Sequence, residues 1–586
     1  MKRVFVVAVL LLVAYSALAL RLFQLQVLSH RHYSALCNAQ RRGREVLPAR
    51  RGDISSSDGI VLARSIPSFG LFIDSAFVEN ATSLLAILKP ICHLSRQEVA
   101  RILREIKGRK RFIWVRRHIT PKQRRIIRAL KLHGTFFTSL WRRVYPLGSF
   151  AANVLGFCGI DGQGLAGVEF WAERWLRGRD GLHIFERDGC GRRLFVDDQF
   201  RPPVDGAEVE LTIDGVVQEI AEQAAQDAWL KWKPNWVAVV VAQPHTGFIL
   251  AYAVRPSFDP TRWSSFPQKS RRNPAAEFVY EPGSTFKPFT FAMLLQEKLV
   301  RLDEKIDCEK GAWRIGRRIL HDYHGYGVLS VPDVLAKSSN IGTAKLALRI
   351  PPDHHHRWLR RFGFGQKTGI ELPHEESGVL RDVSRWSRYS QVSLAMGQEV
   401  GVTVLQMVRG FCAIAADGVL PSLHIVRRIT APSGKILYQA RTRGRRIIDS
   451  DVAATLRALL ARVVENGTGR RAKSRLFTIA GKTGTAQKLD RKTGRYSQKD
   501  YVASFVCMAP AKRPRIVVAV VVDTPRGRSH FGGTVAAPFA KTVAEQTLLY
   551  LGVAPDKEEK HATEKALKGS CRKMDKEARA RNRHHR

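Results

Sequence analysis

The sequence predicts an α/β (α+β) fold: one antiparallel sheet of about five strands with helices packed on its faces. This lies behind a separate N-terminal region and a single membrane-spanning helix. Three observations predict it. An apolar run from Val4 to Leu20 opens the chain. After Gly206 come two strand-like stretches, "WVAVVVAQ" and "FILAYAV", joined by the turn Pro244-His245-Thr246-Gly247. Three more strands are expected near the end, "LFTIAG" (476–481), "YVASFVCMA" (501–509) and "RIVVAVVVD" (515–523). Between the two groups the pattern is mostly helical.

Taken in order, the run Val4–Leu20 follows Lys2 and Arg3. At about 17 residues it sits at the short limit for a membrane span. Ala17-Leu18-Ala19 fits a signal-peptide cleavage site. Leu22, Phe23 and Leu25 instead extend the apolar character past Arg21, so an uncleaved anchor is expected over residues 1–23. Either way the bulk of the chain is exported. Residues 24–203 mix short strands and amphipathic helices. "AEVELTI" alternates like a strand, "GVVQEIAEQAAQDAWL" is an amphipathic helix, and "AAPFAKTVAEQTLLYLG" closes a second domain over 204–554. The segment 555–586 is charged, poor in apolar residues and expected to be a disordered tail.

A chain of 586 residues exceeds what one hydrophobic core supports, so two or more domains are expected. Its 96 Lys+Arg against 52 Asp+Glu leave +44, which implies a polyanionic neighbour. Export makes nucleic acid an excluded partner. The dense basic stretch Arg101–Arg143 carries Ile126, Ile127, Leu130 and Leu132 at helical spacing and reads as the solvated face of amphipathic helices. The eight cysteines form no Cys-x-x-Cys pair and suit buried small hydrophobes, with an occasional disulfide left open. Arg51-Gly52-Asp53 resembles an adhesion motif by chance. His321, His324 and His354-His355-His356 sit in loop-like text without a fourth ligand, so no metal is expected.

The chemistry starts at "YEPGSTFKPFT", which holds a Ser-x-x-Lys, Ser284 and Lys287. Residues three apart share a helix face, so the lysine can serve the serine. Serine needs a base to become a nucleophile, and a buried lysine with a lowered pKa is one. Ser338-x-Asn340 follows in "LAKSSNIGTAKLAL", just before a helix. Lys482-Thr483-Gly484 follows that, continued by Thr485. The three motifs in this order are those of serine acyltransferases acting on D-alanyl peptides. Lys-Thr-Gly also occurs at 367–369 and 492–494. The first of these reads as a loop and the second as a polar turn, whereas the 482 copy follows apolar strand-like text.

The likeness covers nearly the whole chain. "RGDISSSDGIVLA" and "RRVYPLGSFAANVLGFCGIDGQGLAGVEFWAERWLRGRDG" resemble the two pedestal blocks of class B penicillin-binding proteins, the monofunctional peptidoglycan transpeptidases. "LTIDGVVQEIAEQA" and "VAQPHTGFILAYAVRPSFDP" resemble the opening of their transpeptidase domain, and "SLAMGQEVGVTVLQM" looks closest to the division-specific (septal) subgroup. The resemblance implies that 24–203 is an elongated pedestal (dimerisation-type) domain and 204–554 the transpeptidase domain. It implies Ser284 as nucleophile and Lys287 as base. Ser338 would relay a proton and Asn340 would hold a substrate amide and Lys287. Lys482, Thr483, Gly484 and Thr485 would bind the substrate carboxylate, with the backbone N–H groups of Ser284 and Thr485 as oxyanion hole. It implies stem peptides ending in D-Ala-D-Ala as substrate, beta-lactams as covalent inhibitors and no cofactor. The setting implied is the inner membrane, single-pass, with the catalytic domain outside and a glycosyltransferase and other division proteins as partners. The alternatives are an elongation-type transpeptidase, a D,D-carboxypeptidase, or a beta-lactam-binding scaffold of the division complex.

Overall fold

The computed structural model describes residues 1–187, 193–489 and 494–557, with side chains at 37–44 and 186–198 outside the description. Residues 558–586 of the tail expected at 555–586, and Lys492-Thr493, therefore lie outside the described residues. The chain forms two compact units that interleave in sequence. The first comprises 1–52, 65–142 and 177–206, and the second 53–64, 143–176 and 207 onward.

In the second unit the five-stranded sheet has the order Ile249–Arg255, Trp236–Ala242, Ile516–Asp523, Tyr496–Ala509, Ala480–Leu489, every neighbour antiparallel. Both faces are covered, which is why its central strands read as unbroken apolar runs. Val237, Val239 and Val241 point into one core with Val518 and Val520, packed under the helices Gly215–Trp232 and Ala537–Tyr550. Ala238, Val240, Ala242, Val517 and Val521 point into the other, with Phe289, Leu405, Met407 and Leu456 from the helices Lys287–Gln296, Val404–Ala415 and Ser450–Asn466. Asp214 caps the first of these helices, its carboxylate accepting from the N–H groups of Val216 and Val217 at 3.0 and 3.1 Å.

Residues 53–64 and 143–176 precede the expected boundary at 203, yet they pack in this unit. Ile54, Leu62, Val154, Leu155, Val168 and Leu176 share one core with Val209 and Leu211. Ile54–Ser55 pairs in parallel with the Glu208–Leu211 strand, which is thereby part of a second sheet.

The first unit carries a small core of its own. Leu71, Ile73, Ile113 and Val115 from a sheet meet Leu85, Leu88, Ile102 and Ile127 from the helices Ala81–Cys92, Arg96–Lys107 and Pro121–Ala129. The basic stretch is thus two short helices and two strands. Ile127 is buried there, while Ile126 and Leu130 are exposed. Lys2–Phe23 is an α-helix, and Lys2–Leu28 is long and apolar enough to cross a membrane.

Two further expectations change. The strand expected at 476–481 begins only at Ala480, so Lys482–Thr485 lie inside it. His354–His356 lie in a helix, Pro352–Arg361, started by Pro352 at its first position. Arg51 and Asp53 are buried, so Arg51-Gly52-Asp53 is not presented to a partner. Cys92, Cys158, Cys308, Cys412 and Cys507 are buried free thiols.

Candidate active site

Ser284 sits in a single 3₁₀ turn, Gly283–Phe286, that runs directly into the helix Lys287–Gln296. Two aromatic anchors hold this turn. Phe286 and Phe289 are fully buried, Phe286 against Phe364 with centroids 4.7 Å apart and Phe289 against Phe411 at 5.6 Å. The turn lies on the edge strand Ala480–Leu489. A Cβ on Gly484 would come within 2.7 Å of the Pro282 carbonyl and 2.5 Å of Ser504 Oγ. That close approach requires glycine as the third residue of Lys482-Thr483-Gly484.

Lys287 is fully buried one helical turn from Ser284. Its Nζ donates to the Ser338 carbonyl at 2.6 Å and to Asn340 Oδ1 at 2.8 Å, and lies 3.3 Å from Ser338 Oγ. Burial brings its pKa down to about 7, against the opposing pull of the Asp322 charge. Lys482, also fully buried, donates from Nζ to Ser338 Oγ at 2.9 Å and to the Thr483 carbonyl at 3.2 Å. Desolvation, and then the nearby Lys287 charge, push Lys482 well below the usual lysine range. Ser338 is held at φ +59°, a left-handed conformation unusual for serine and of the kind that clusters at functional sites.

The predicted residues therefore fall into one group. Lys287, Ser338, Asn340 and Lys482 are joined by hydrogen bonds, and Ser284 stands beside them on the same turn as Lys287. Among the described residues Ser284 Oγ makes no hydrogen bond. Thr483 Oγ1 lies 2.8 Å from Thr468 Oγ1, and Thr485 Oγ1 accepts from Gly532 N–H at 3.1 Å. The 367–369 copy is loop, with Thr368 Oγ1 and N–H both given to Glu375.

Sequence reasoning missed Asp322. Its carboxylate accepts from Ser339 Oγ at 2.6 Å, from Ile341 N–H at 3.0 Å and from Asn340 N–H, so it positions the whole Ser338–Asn340 turn. The only signal was the run "HDYHGYG", whose histidines drew attention to a metal instead. Among the described residues no group of three or more His, Cys, Asp or Glu stands ready to hold a metal ion.

Comparison with known proteins bears on this geometry. The model of the penicillin binding protein transpeptidase domain matches residues 237–545, and that of the penicillin-binding protein dimerisation domain matches 46–211. The chain belongs to the penicillin-binding protein transpeptidase family. Stage V sporulation protein D of Bacillus subtilis is 34% identical over 513 residues, covering 86% of this chain and 79% of its own. The probable peptidoglycan D,D-transpeptidase PenA of Neisseria gonorrhoeae is 34% identical over 527 residues, covering 88% and 86%. Penicillin binding protein 3 of Mycobacterium tuberculosis, solved in complex with ampicillin, superposes with a TM-score of 0.69 at 28% identity, over 88% of this chain and 98% of that one.

Proposed function

We propose that the protein is a membrane-anchored peptidoglycan D,D-transpeptidase of septal cell-wall synthesis. The observation that carries this is the meeting of two buried lysines, Lys287 and Lys482, on Ser338 Oγ beside Ser284. The names of its relatives support the reaction, and the ampicillin complex of its structural relative supports beta-lactams as inhibitors.

In this reading neutral Lys287 takes the proton of Ser284, whose Oγ attacks the carbonyl of the penultimate D-alanine. Charge develops on the carbonyl oxygen, where the N–H groups of Ser284 and Thr485 receive it. Fixed donors of this kind contribute about 3 kcal/mol each to transition-state stabilisation. Ser338 passes the proton to the leaving D-alanine amine. Its hydroxyl lies within reach of both lysines, so the proton moves along a short chain. Lys482, with the hydroxyls of Thr483 and Thr485, binds the terminal carboxylate, and Asn340 orients both Lys287 and a substrate amide. An amine of a second stem peptide then attacks the Ser284 ester, forms the cross-link and restores the serine. Residues 204–554 carry this chemistry and 24–203 serve as pedestal. The Lys2–Leu28 helix anchors the chain in the inner membrane with the catalytic unit outside, beside a glycosyltransferase and other division proteins.

The test uses full-length protein in detergent with a D-Ala-D-Ala pentapeptide and an acceptor amine. Released D-alanine together with a new amide-linked product is expected. Release with hydrolysis alone would identify a D,D-carboxypeptidase, and no release at all would leave a scaffold.

A further inference from the structure

Of the stretch "HDYHGYG" (321–327), the site described above uses only Asp322. Its other rings begin a line. Tyr326, His324, Tyr323, Phe531, His530 and Tyr501 follow one another with ring centroids 5.7, 4.7, 5.1, 4.5 and 4.0 Å apart. No hydrophobic core accounts for its middle, because Tyr323 is 73% exposed and Phe531 37%. A single exposed aromatic needs no explanation. These two are each held by a catalytic element. Asp322, the residue before Tyr323, accepts from Ser339 Oγ, Asn340 N–H and Ile341 N–H. Gly532, the residue after Phe531, donates its N–H to Thr485 Oγ1 at 3.1 Å. A Cβ on Gly532 would come within 2.3 Å of the Gly484 and Ser504 carbonyl oxygens, so glycine seats Phe531 tightly beside the edge strand.

These contacts close a circuit. The Ser338–Asn340 turn and the Lys482–Thr485 strand meet where Lys482 Nζ donates to Ser338 Oγ at 2.9 Å. Their flanks meet again at Tyr323 and Phe531, whose rings lie edge to face at 72°. Whatever passes through the circuit passes beside Ser338 Oγ. In the transpeptidase reading Ser338 serves the leaving amine, so the acceptor amine enters where that amine left. Water competes with it for the Ser284 ester. In either outcome the bond from Ser284 Oγ to the acyl carbon breaks and one from the incoming nitrogen or oxygen forms. One proton of the incoming group returns to Ser284 Oγ. An aromatic pair is weak enough to be parted, and a chain that packs between the rings makes good the lost contact. Water does not.

We propose that the Tyr323–Phe531 ring pair is a gate on the acceptor path that favours aminolysis of the Ser284 ester over its hydrolysis. Closed, it keeps bulk water from Ser338. Parted by an acceptor stem, it lays both rings along the chain that carries the amine. This inference rests on the transpeptidase reading and adds to it what sets transfer against hydrolysis.

The experiment gives full-length protein in detergent a D-Ala-D-Ala pentapeptide as donor and a second stem peptide as acceptor. The amide-linked product and the hydrolysed donor are both measured, and their ratio is the readout. Tyr323→Ala and Phe531→Ala should each lower that ratio about tenfold, the upper weight of one aromatic pair. The double variant should lower it no further, because either change removes the same contact. Tyr323→Phe, which keeps the ring, should hold the wild-type ratio. Both products come from one preparation, so misfolded protein cancels, and removing the exposed Tyr323 ring leaves no cavity. An unchanged ratio in the alanine variants, a fall of about a hundredfold in the double variant, or a fall in Tyr323→Phe would overturn the gate and leave the transpeptidase reading intact. Wild-type protein that releases no D-alanine, or only hydrolyses the donor, would overturn the reading itself.

Discussion

Lys482 donates to Ser338 Oγ at 2.9 Å, and the Nζ of Lys287 lies 3.3 Å from the same oxygen. One hydroxyl thus bridges two buried amines that come from elements far apart in the chain. In the proposed mechanism the amine on the helix of Ser284 handles the proton, and the amine on the edge strand handles substrate charge.

Replacing Lys482 with alanine is expected to slow penicillin acylation by two orders of magnitude or more, about 2.7 kcal/mol in activation free energy. Lys367→Ala should change it less than about threefold, since that lysine is exposed in a loop. Stopped-flow acylation rates of the two variants, with folding checked by circular dichroism, decide which tripeptide carries the chemistry.

The pH profile follows from Lys287. Only its neutral amine can accept the serine proton, and burial brings its pKa to about 7. Acylation should therefore rise with pH through about 7 and level off above it. Asp322 is the charge that favours the ammonium form, so Asp322→Asn should move this limb to lower pH. A profile unmoved by that substitution would detach the limb from Lys287.

Asp322→Ala tests the turn it holds. Three donors, Ser339 Oγ, Asn340 N–H and Ile341 N–H, would lose their acceptor, Ser339 in a fully buried setting. A loss of about 1–3 kcal/mol in stability is expected, with acylation slowed tenfold or more. Thermal unfolding and acylation rate measured together check both halves.

Away from the site, His424 Nδ1 lies 2.6 Å from Glu371 Oε1, and Tyr438 Oη donates to the same oxygen. Burial alone would lower the His424 pKa, but the hydrogen bond and charge of Glu371 outweigh it and raise it. A raised folded-state value stabilises fully below the unfolded value of about 6.5 and is lost as pH rises through the folded one. Glu371→Gln should accordingly cost more stability at acid pH than at alkaline pH. Equal melting-temperature deficits at both would contradict this coupling.

The sheet was legible because strands buried on both faces leave an unbroken apolar run, as at Trp236–Ala242. The site was legible because its three motifs lie in order on elements with clear patterns. What escaped was decided by local side chains. Residues 476–478 are apolar enough for a strand. Ser474 Oγ, however, takes the N–H groups of Leu476 and Phe477 at 3.0 and 3.1 Å, and Asp556 takes that of Thr478 at 2.6 Å. These bonds compete with a strand ladder and delay it to Ala480. Asp322 lies in polar and aromatic loop text with no period, so nothing in the sequence links it to Asn340. Residues 143–176 looked like part of the N-terminal region until their apolar positions met those of 207–211 in one core.

The most direct test of the central claim is peptide mass spectrometry of the full-length protein after penicillin treatment. One penicilloyl adduct on Ser284 is expected, absent in Ser284→Ala. An adduct on another serine, with Ser284 unmodified, would contradict the account.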